Sequence, residues 1–183
     1  MTGSPEPAIK LPSLTLVLGG ARSGKSRLAE RLVTGTGLAR HYIATAEAWD
    51  EEMRARIARH QADRGADWHT WASPRDVDRT LADISGGVVL LECATLWLTN
   101  HLLADADIEA RTGALLAALA ACAAPVVVVS NEVGLGIVPE NALARAFRDH
   151  QGLLNQRLAA QADLVVGVMA GLPYTLKGSL PPL

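Results

Sequence analysis

Lysine is scarce in this chain of 183 residues. Only Lys10, Lys25 and Lys177 occur, against fourteen arginines. The bias matches a genome-composition effect, and it leaves Lys25 as the only lysine in the central part of the chain. Cysteine is scarce too. Cys93 and Cys122 stand in apolar surroundings without metal-ligand spacing, which reads as small core residues of a reducing compartment. The formal net charge is only −2, so no basic surface points to a nucleic acid. The longest apolar stretch, residues 114–129, is broken by Pro125 and divides into a helix and a strand rather than a membrane span. The start of the chain has no signal-peptide apolar region. Internal repeats and low-complexity segments are missing. The expectation from these absences is a soluble, cytoplasmic protein.

What is present reads as a globular chain, 49% hydrophobic and 20% charged, long enough for one domain with a real core. Residues 1–12, with Pro5, Pro7 and Pro12, read as a flexible tail, and residues 13–183 as a single domain. Strands are expected at 14–18, 41–45, 88–91, 126–130 and 164–169. Helices are expected at 27–32, 50–64, from Ser73-Pro74 onward, at 96–104, at 108–122 and from Pro139, the last with Leu143, Phe147, Leu154 and Leu158 on its inner face. Residues 65–73, with Trp68 and Trp71, and the tail from Gly171 read as irregular. Strands that are unbroken apolar runs are buried on both faces, which implies a mostly parallel sheet. The fold class expected is α/β, a P-loop NTPase-type (RecA-like) mostly parallel sheet flanked by helices.

Residues 19–26, Gly-Gly-Ala-Arg-Ser-Gly-Lys-Ser, fit the phosphate-loop pattern G-x-x-x-x-G-K-[ST] between an expected strand and an expected helix. Gly19, Gly20 and Gly24 let the backbone curl so that N–H groups point at an anion, and Ala21, Arg22 and Ser23 complete the loop. The helix N-terminus adds positive potential. Lys25 is expected to neutralise the outer phosphates and the Ser26 hydroxyl to ligate Mg²⁺.

Residues 19–26, Thr45, Glu92 and Asn131–Glu132 fall where a parallel sheet binds ligands, outside the carboxyl ends of strands, and three features beyond the phosphate loop stand out. Glu92 ends a buried strand; a carboxylate there serves Mg²⁺ or nucleotide, or is a plain strand-end acid. His60 shares a helical face with Met53 and Ile57. It is structural or surface, or it is a nucleophile that attacks phosphorus, with Arg56, Arg59 and Arg64 holding phosphates. Spacing leaves both readings open. The glycine-rich loop Asn131-Glu-Val-Gly-Leu-Gly-Ile-Val-Pro139 is a pocket wall, a lid or a plain connection.

Taken in order, these segments resemble the bifunctional adenosylcobinamide kinase / adenosylcobinamide-phosphate guanylyltransferase family, from about residue 14 to 170. The phosphate loop is generic. The other matching pieces are Tyr42-Ile-Ala-Thr45, Asp50-Glu-Glu-Met53 with Arg56-Ile57 and His60, Leu91-Glu-Cys93 with Thr95 and Asn100, the Asn131-Glu-Val-Gly134 loop, Arg145, Phe147-Arg-Asp149 and Asn155-Gln156, of which the Asn131-Glu-Val-Gly134 loop and the helix with Arg56-Ile57 and His60 are much more specific. The resemblance implies phosphorylation of adenosylcobinamide with ATP or GTP. It implies next the transfer of GMP from GTP to adenosylcobinamide phosphate through a guanylylated His60. It implies nucleotide contacts from residues 19–26, from Ala44, Thr45 and Ala46, from Gln61, Ala62, Asp63 and Arg64, and from Glu92. It also implies a homotrimer. One departure is visible: many relatives carry a glutamate soon after the tryptophan of the following loop, where this chain has Trp71-Ala-Ser73. The competing expectations are a single-activity small-molecule kinase and a nucleotide-gated binding module.

Overall fold

The computed structural model describes residues 8–47, 51 and 67–182. The helix expected at 50–64, and with it His60, Gln61, Ala62, Asp63 and Arg64, lies outside the described residues. Seven strands form one sheet in the order β3-β2-β4-β5-β1-β6-β7. The strands are β1 (Leu14–Gly19), β2 (Arg40–Ala44), β3 (Trp68–Ala72), β4 (Val88–Glu92), β5 (Val126–Asn131), β6 (Leu164–Met169) and β7 (Leu172–Lys177). The helices among the described residues are α1 (Lys25–Thr34), α2 (Val77–Asp83), α3 (Ala94–Leu103), α4 (Ile108–Ala121) and α5 (Ala142–Gln161). All ladders are parallel except β6 with β7. This is the mostly parallel, helix-flanked α/β sheet expected for a RecA-like P-loop protein, with β5 inserted between β1 and β4.

Alternation along each central strand explains the apolar runs. Leu16, Leu91 and Val128 face one core with Trp97, Leu154 and Leu158, whereas Val17, Leu90 and Val127 face the other with Leu28 and Leu32 of α1. With both faces covered, most positions along these strands are apolar, the buried Thr15 and Ser130 being exceptions, so the sequence pattern loses its alternation.

Four expectations need correction. Residues 68–72 are not a loop but β3, which among the described residues is an edge strand paired with β2. Its exposed His69 and Thr70 hide the strand pattern. The tail from Gly171 is not irregular either. Ala170 and Gly171 turn with positive φ (52° and 80°), and residues 172–177 run back along β6. Pro173 is tolerated because β7 is an edge. Ser73-Pro74 does not open a helix; α2 begins at Val77, and the Ser73 hydroxyl instead accepts from Thr80 at 2.9 Å. Pro139 likewise does not open α5. Asn141 caps it, its side chain accepting from the N–H groups of Leu143 and Ala144 at 2.8 and 3.2 Å. Leu143 in consequence stands exposed, while Leu154 and Leu158 are buried as expected.

Candidate active site

The loop between β1 and α1 is shaped by its glycines. Gly24 has φ 97°, a left-handed conformation that L side chains rarely adopt. Gly19 allows a close approach: a Cβ there would lie 2.7 Å from the carbonyl oxygen of Val168 and also strike the Ser23 side chain. The loop is tied to its neighbours by Glu132 N–H donating to Gly19 C=O (3.1 Å) and Gly171 N–H donating to Ser23 C=O (2.8 Å). Lys25, the first residue of α1, is largely buried, and its ammonium donates to Gly20 C=O at 3.2 Å. That bond folds the charge back over the loop, where an anion held by the loop N–H groups would meet it.

Ser26 Oγ donates to Glu92 Oε1 at 2.8 Å. The carboxyl end of β4 and the first turn of α1 therefore meet through two hard oxygen donors, the ligand type Mg²⁺ requires. Beyond Glu92 the backbone passes through a cis peptide to Cys93. Cys93 is buried, and its thiol is pushed up to about 11, mainly by burial and secondarily by the Glu92 charge, so it stays protonated.

Ala44 ends β2, and Ala46 follows half-buried. Thr45 between them is wholly buried, and its hydroxyl is engaged with the Cys93 backbone rather than directed outward. Glu47 pairs with Arg75 at 3.4 Å. Arg75 is in turn fixed by its carbonyl, which lies 3.1 Å from Trp97 Nε1 and 3.2 Å from His101 Nε2.

Between β4 and β1, the end of β5 is held by side chains. Thr95 Oγ1 accepts from Asn131 N–H (2.8 Å), and Asn155 Nδ2 donates to Asn131 C=O (3.0 Å). Asn155 Oδ1 accepts from Ser130 Oγ (2.7 Å) and from Gln151 Nε2 (2.9 Å). From there the glycine-rich loop turns outward: Glu132 caps Gly134 N–H at 2.6 Å, while Leu135 and Ile137 are 86% and 96% exposed. Arg145 closes the loop by donating to Pro139 C=O at 2.9 Å.

The structure thus brings together residues 19–26, residues 44–46, Glu92 and the start of the 131–139 loop at the carboxyl ends of β1, β2, β4 and β5. Sequence reasoning missed Ser130, Gln151, Glu47 and Arg75. The pair Gln151 and Asn155 carried a usable signal, two amides at i and i+4 beside the buried Leu154 and Leu158. Ser130 carried none, because its partners are remote in the chain.

The chain is similar to known proteins over most of its length. A family model described as cobinamide kinase / cobinamide phosphate guanyltransferase matches residues 15–176. The bifunctional adenosylcobalamin biosynthesis protein CobP of Pseudomonas aeruginosa is 48% identical over 167 residues, 89% of this chain and 96% of that protein. CobU of Salmonella typhimurium, of the same description, is 45% identical over 181 residues, 90% of this chain and 99% of that protein. Among solved structures, the flagellar accessory protein FlaH of Methanocaldococcus jannaschii matches 93% of this chain and 80% of its own with a TM-score of 0.51 at 14% identity. A protein of Pyrococcus horikoshii matches 93% of this chain and 89% of its own with a TM-score of 0.52 at 8% identity. Those two likenesses concern the fold alone.

Proposed function

The chain belongs to the cobinamide kinase / cobinamide phosphate guanyltransferase family, and we propose that one site, on a single domain of residues 13–183, carries both reactions. The protein is a bifunctional enzyme of adenosylcobalamin biosynthesis. In the kinase step the hydroxyl of adenosylcobinamide attacks the γ-phosphorus of ATP or GTP. The bond to the β–γ bridging oxygen breaks, the nucleoside diphosphate leaves and the hydroxyl proton is lost. The loop N–H groups and Lys25 hold the charge that develops on the phosphates. Ser26 and Glu92 are the residues that would hold Mg²⁺, whose contribution is to neutralise phosphate charge.

In the second step a neutral His60 nitrogen attacks the α-phosphorus of GTP and pyrophosphate leaves. The GMP then passes to a phosphate oxygen of adenosylcobinamide phosphate, giving adenosylcobinamide-GDP and freeing the histidine. Backbone at Ala44, Thr45 and Ala46, together with Gln61, Ala62, Asp63 and Arg64, serves the nucleotide. The 131–139 loop faces the acceptor. A cytoplasmic homotrimer without a nucleic-acid partner completes the reading. Among the described residues no helix is long and apolar enough to cross a membrane.

The observation that carries the proposal is the Ser26–Glu92 contact of 2.8 Å beside a glycine-shaped loop with an inward-folded lysine. The test uses α-labelled GTP with Mg²⁺. Wild type is expected to retain label that is stable in base and lost in mild acid, whereas γ-labelled GTP leaves none by this route. His60→Asn is expected to take no label yet still phosphorylate adenosylcobinamide. Lys25→Ala is expected to lose about a hundredfold or more in kinase turnover. Full labelling of His60→Asn would leave a kinase without histidine-mediated transfer.

A further inference from the structure

The Thr45 side chain has no exposure, yet it lies within the backbone run that serves the nucleotide. Its Oγ1 donates to the C=O of Cys93 at 2.8 Å and accepts from the N–H of the same residue at 2.8 Å. One hydroxyl thus bonds both main-chain groups of the residue that follows Glu92, whose carbonyl also accepts from the Trp97 N–H at 3.1 Å. The Thr45 N–H donates to Glu92 C=O at 3.1 Å. Its carbonyl accepts from Asn100 Nδ2 at 2.8 Å, and Asn100 also donates to Pro74 C=O at 2.9 Å. Every polar group of Thr45 is therefore engaged with the Glu92–Cys93 segment or with α3. The direction of the Glu92 carboxylate toward Ser26 depends on this backbone, because β4 ends at Glu92.

We propose that Thr45 is a positioning residue. Its hydroxyl fixes the backbone just past β4, and so holds the Glu92 carboxylate against Ser26. The proposal rests on the reading of Glu92 and Ser26 as functional groups of the kinase site. It assigns the Thr45 side chain no contact with nucleotide. The methyl and hydroxyl divide the roles: the methyl packs, and the hydroxyl orients.

Thr45→Val keeps the shape and removes the hydroxyl, leaving the Cys93 N–H and C=O without that partner in a buried place. The kinase kcat at saturating nucleotide is expected to fall about tenfold or more. In a Glu92→Gln background the same substitution is expected to change kcat by less than about twofold, because the group it acts through is already altered. Thr45→Ser, which restores the hydroxyl, is expected to recover most of the wild-type rate. Thr45→Ala carries the same comparison if the valine variant fails to fold.

GTP affinity with and without Mg²⁺, measured without any corrinoid, gives an independent reading. Thr45→Val and Glu92→Gln should each lose the Mg²⁺-dependent increment, and the double variant should lose no more. Thr45→Ser should keep it. Equal kcat losses in both backgrounds, a raised nucleotide KM at unchanged kcat, or a wild-type Mg²⁺ increment in Thr45→Val would overturn the proposal. A wild type that does not phosphorylate adenosylcobinamide would sink the proposed function instead, and the binding comparison would still decide the role of Thr45.

Discussion

Two neighbouring regions on one side of the phosphate loop are built by different means. In the β2–β4 region, Thr45, Cys93 and Asn100 are buried, and their backbone and amide groups close on one another within 2.8 to 2.9 Å. In the β5 region, the same kind of buried polar clamp ends at Asn131, and the chain then sets Leu135, Ile137 and Val138 out into solvent. A buried polar network is rigid and intolerant, since each lost partner strands a group away from water. An exposed apolar segment contributes little to folding and offers surface to a large, partly apolar acceptor. On the proposed function, the fixed charges of phosphoryl transfer belong to the closed region and the adaptable contact with the acceptor to the exposed loop.

The largest expected effect comes from breaking the first region. Asn100→Ala removes the donor from two carbonyls, of Thr45 and Pro74, that lie in buried or part-buried places. Each stranded acceptor costs about 1–3 kcal/mol, so stability is expected to fall by roughly 2–5 kcal/mol. Urea unfolding measures it. A loss below about 1 kcal/mol would mean that water replaces the amide and that this region is not closed.

That region was only partly legible in the sequence. The buried strands, Lys25, Ser26 and Glu92 were readable because each announces itself locally, through apolar runs or a fixed motif. Thr45 was readable as a site position but not in its role. Its hydroxyl partners a residue 48 positions away, and no local pattern encodes such a pairing. β3 was hidden because an edge strand with exposed His69 and Thr70 has no apolar run. β7 was hidden because Gly171 and Pro173 read as breakers, although an edge position tolerates both. The start of α5 was misplaced by giving Pro139 more weight than Asn141, whose side chain makes the actual cap.

The second region should respond in the opposite sense. Ile137→Ser is expected to leave the unfolding free energy within about 0.5 kcal/mol of wild type, because a side chain 96% exposed has little burial to lose. The corrinoid KM is expected to rise several-fold, about 1 kcal/mol of lost apolar contact, with GTP labelling of the enzyme unchanged. Steady-state kinetics and the labelling assay together check it. A corrinoid KM equal to wild type would remove the acceptor from this loop and leave the contrast purely structural.

The smallest effect sharpens the comparison by proton linkage at the half-buried His41 and the buried His101. Trp71 Nε1–H donates to His41 Nδ1 at 3.2 Å, which requires that nitrogen to be unprotonated. Burial, and then the neighbouring His69 charge, lower the His41 pKa below its ordinary value of 6.5. His101, beneath the Arg75 carbonyl in α3, is lowered in the same direction, first of all by burial. In both cases the unfolded chain takes up a proton at a pH where the folded chain still resists it. Their contribution is therefore fully present above the unfolded value of about 6.5 and is lost as pH falls through the lower folded values. The urea midpoint is expected to decline as pH drops from about 7 toward 5. The decline should be shallower in His41→Gln, which has no imidazole to protonate, and should keep its wild-type slope in Ile137→Ser. A midpoint that rose on acidification, or a slope altered by the loop variant and not by His41→Gln, would place the pH-sensitive groups elsewhere than at these histidines.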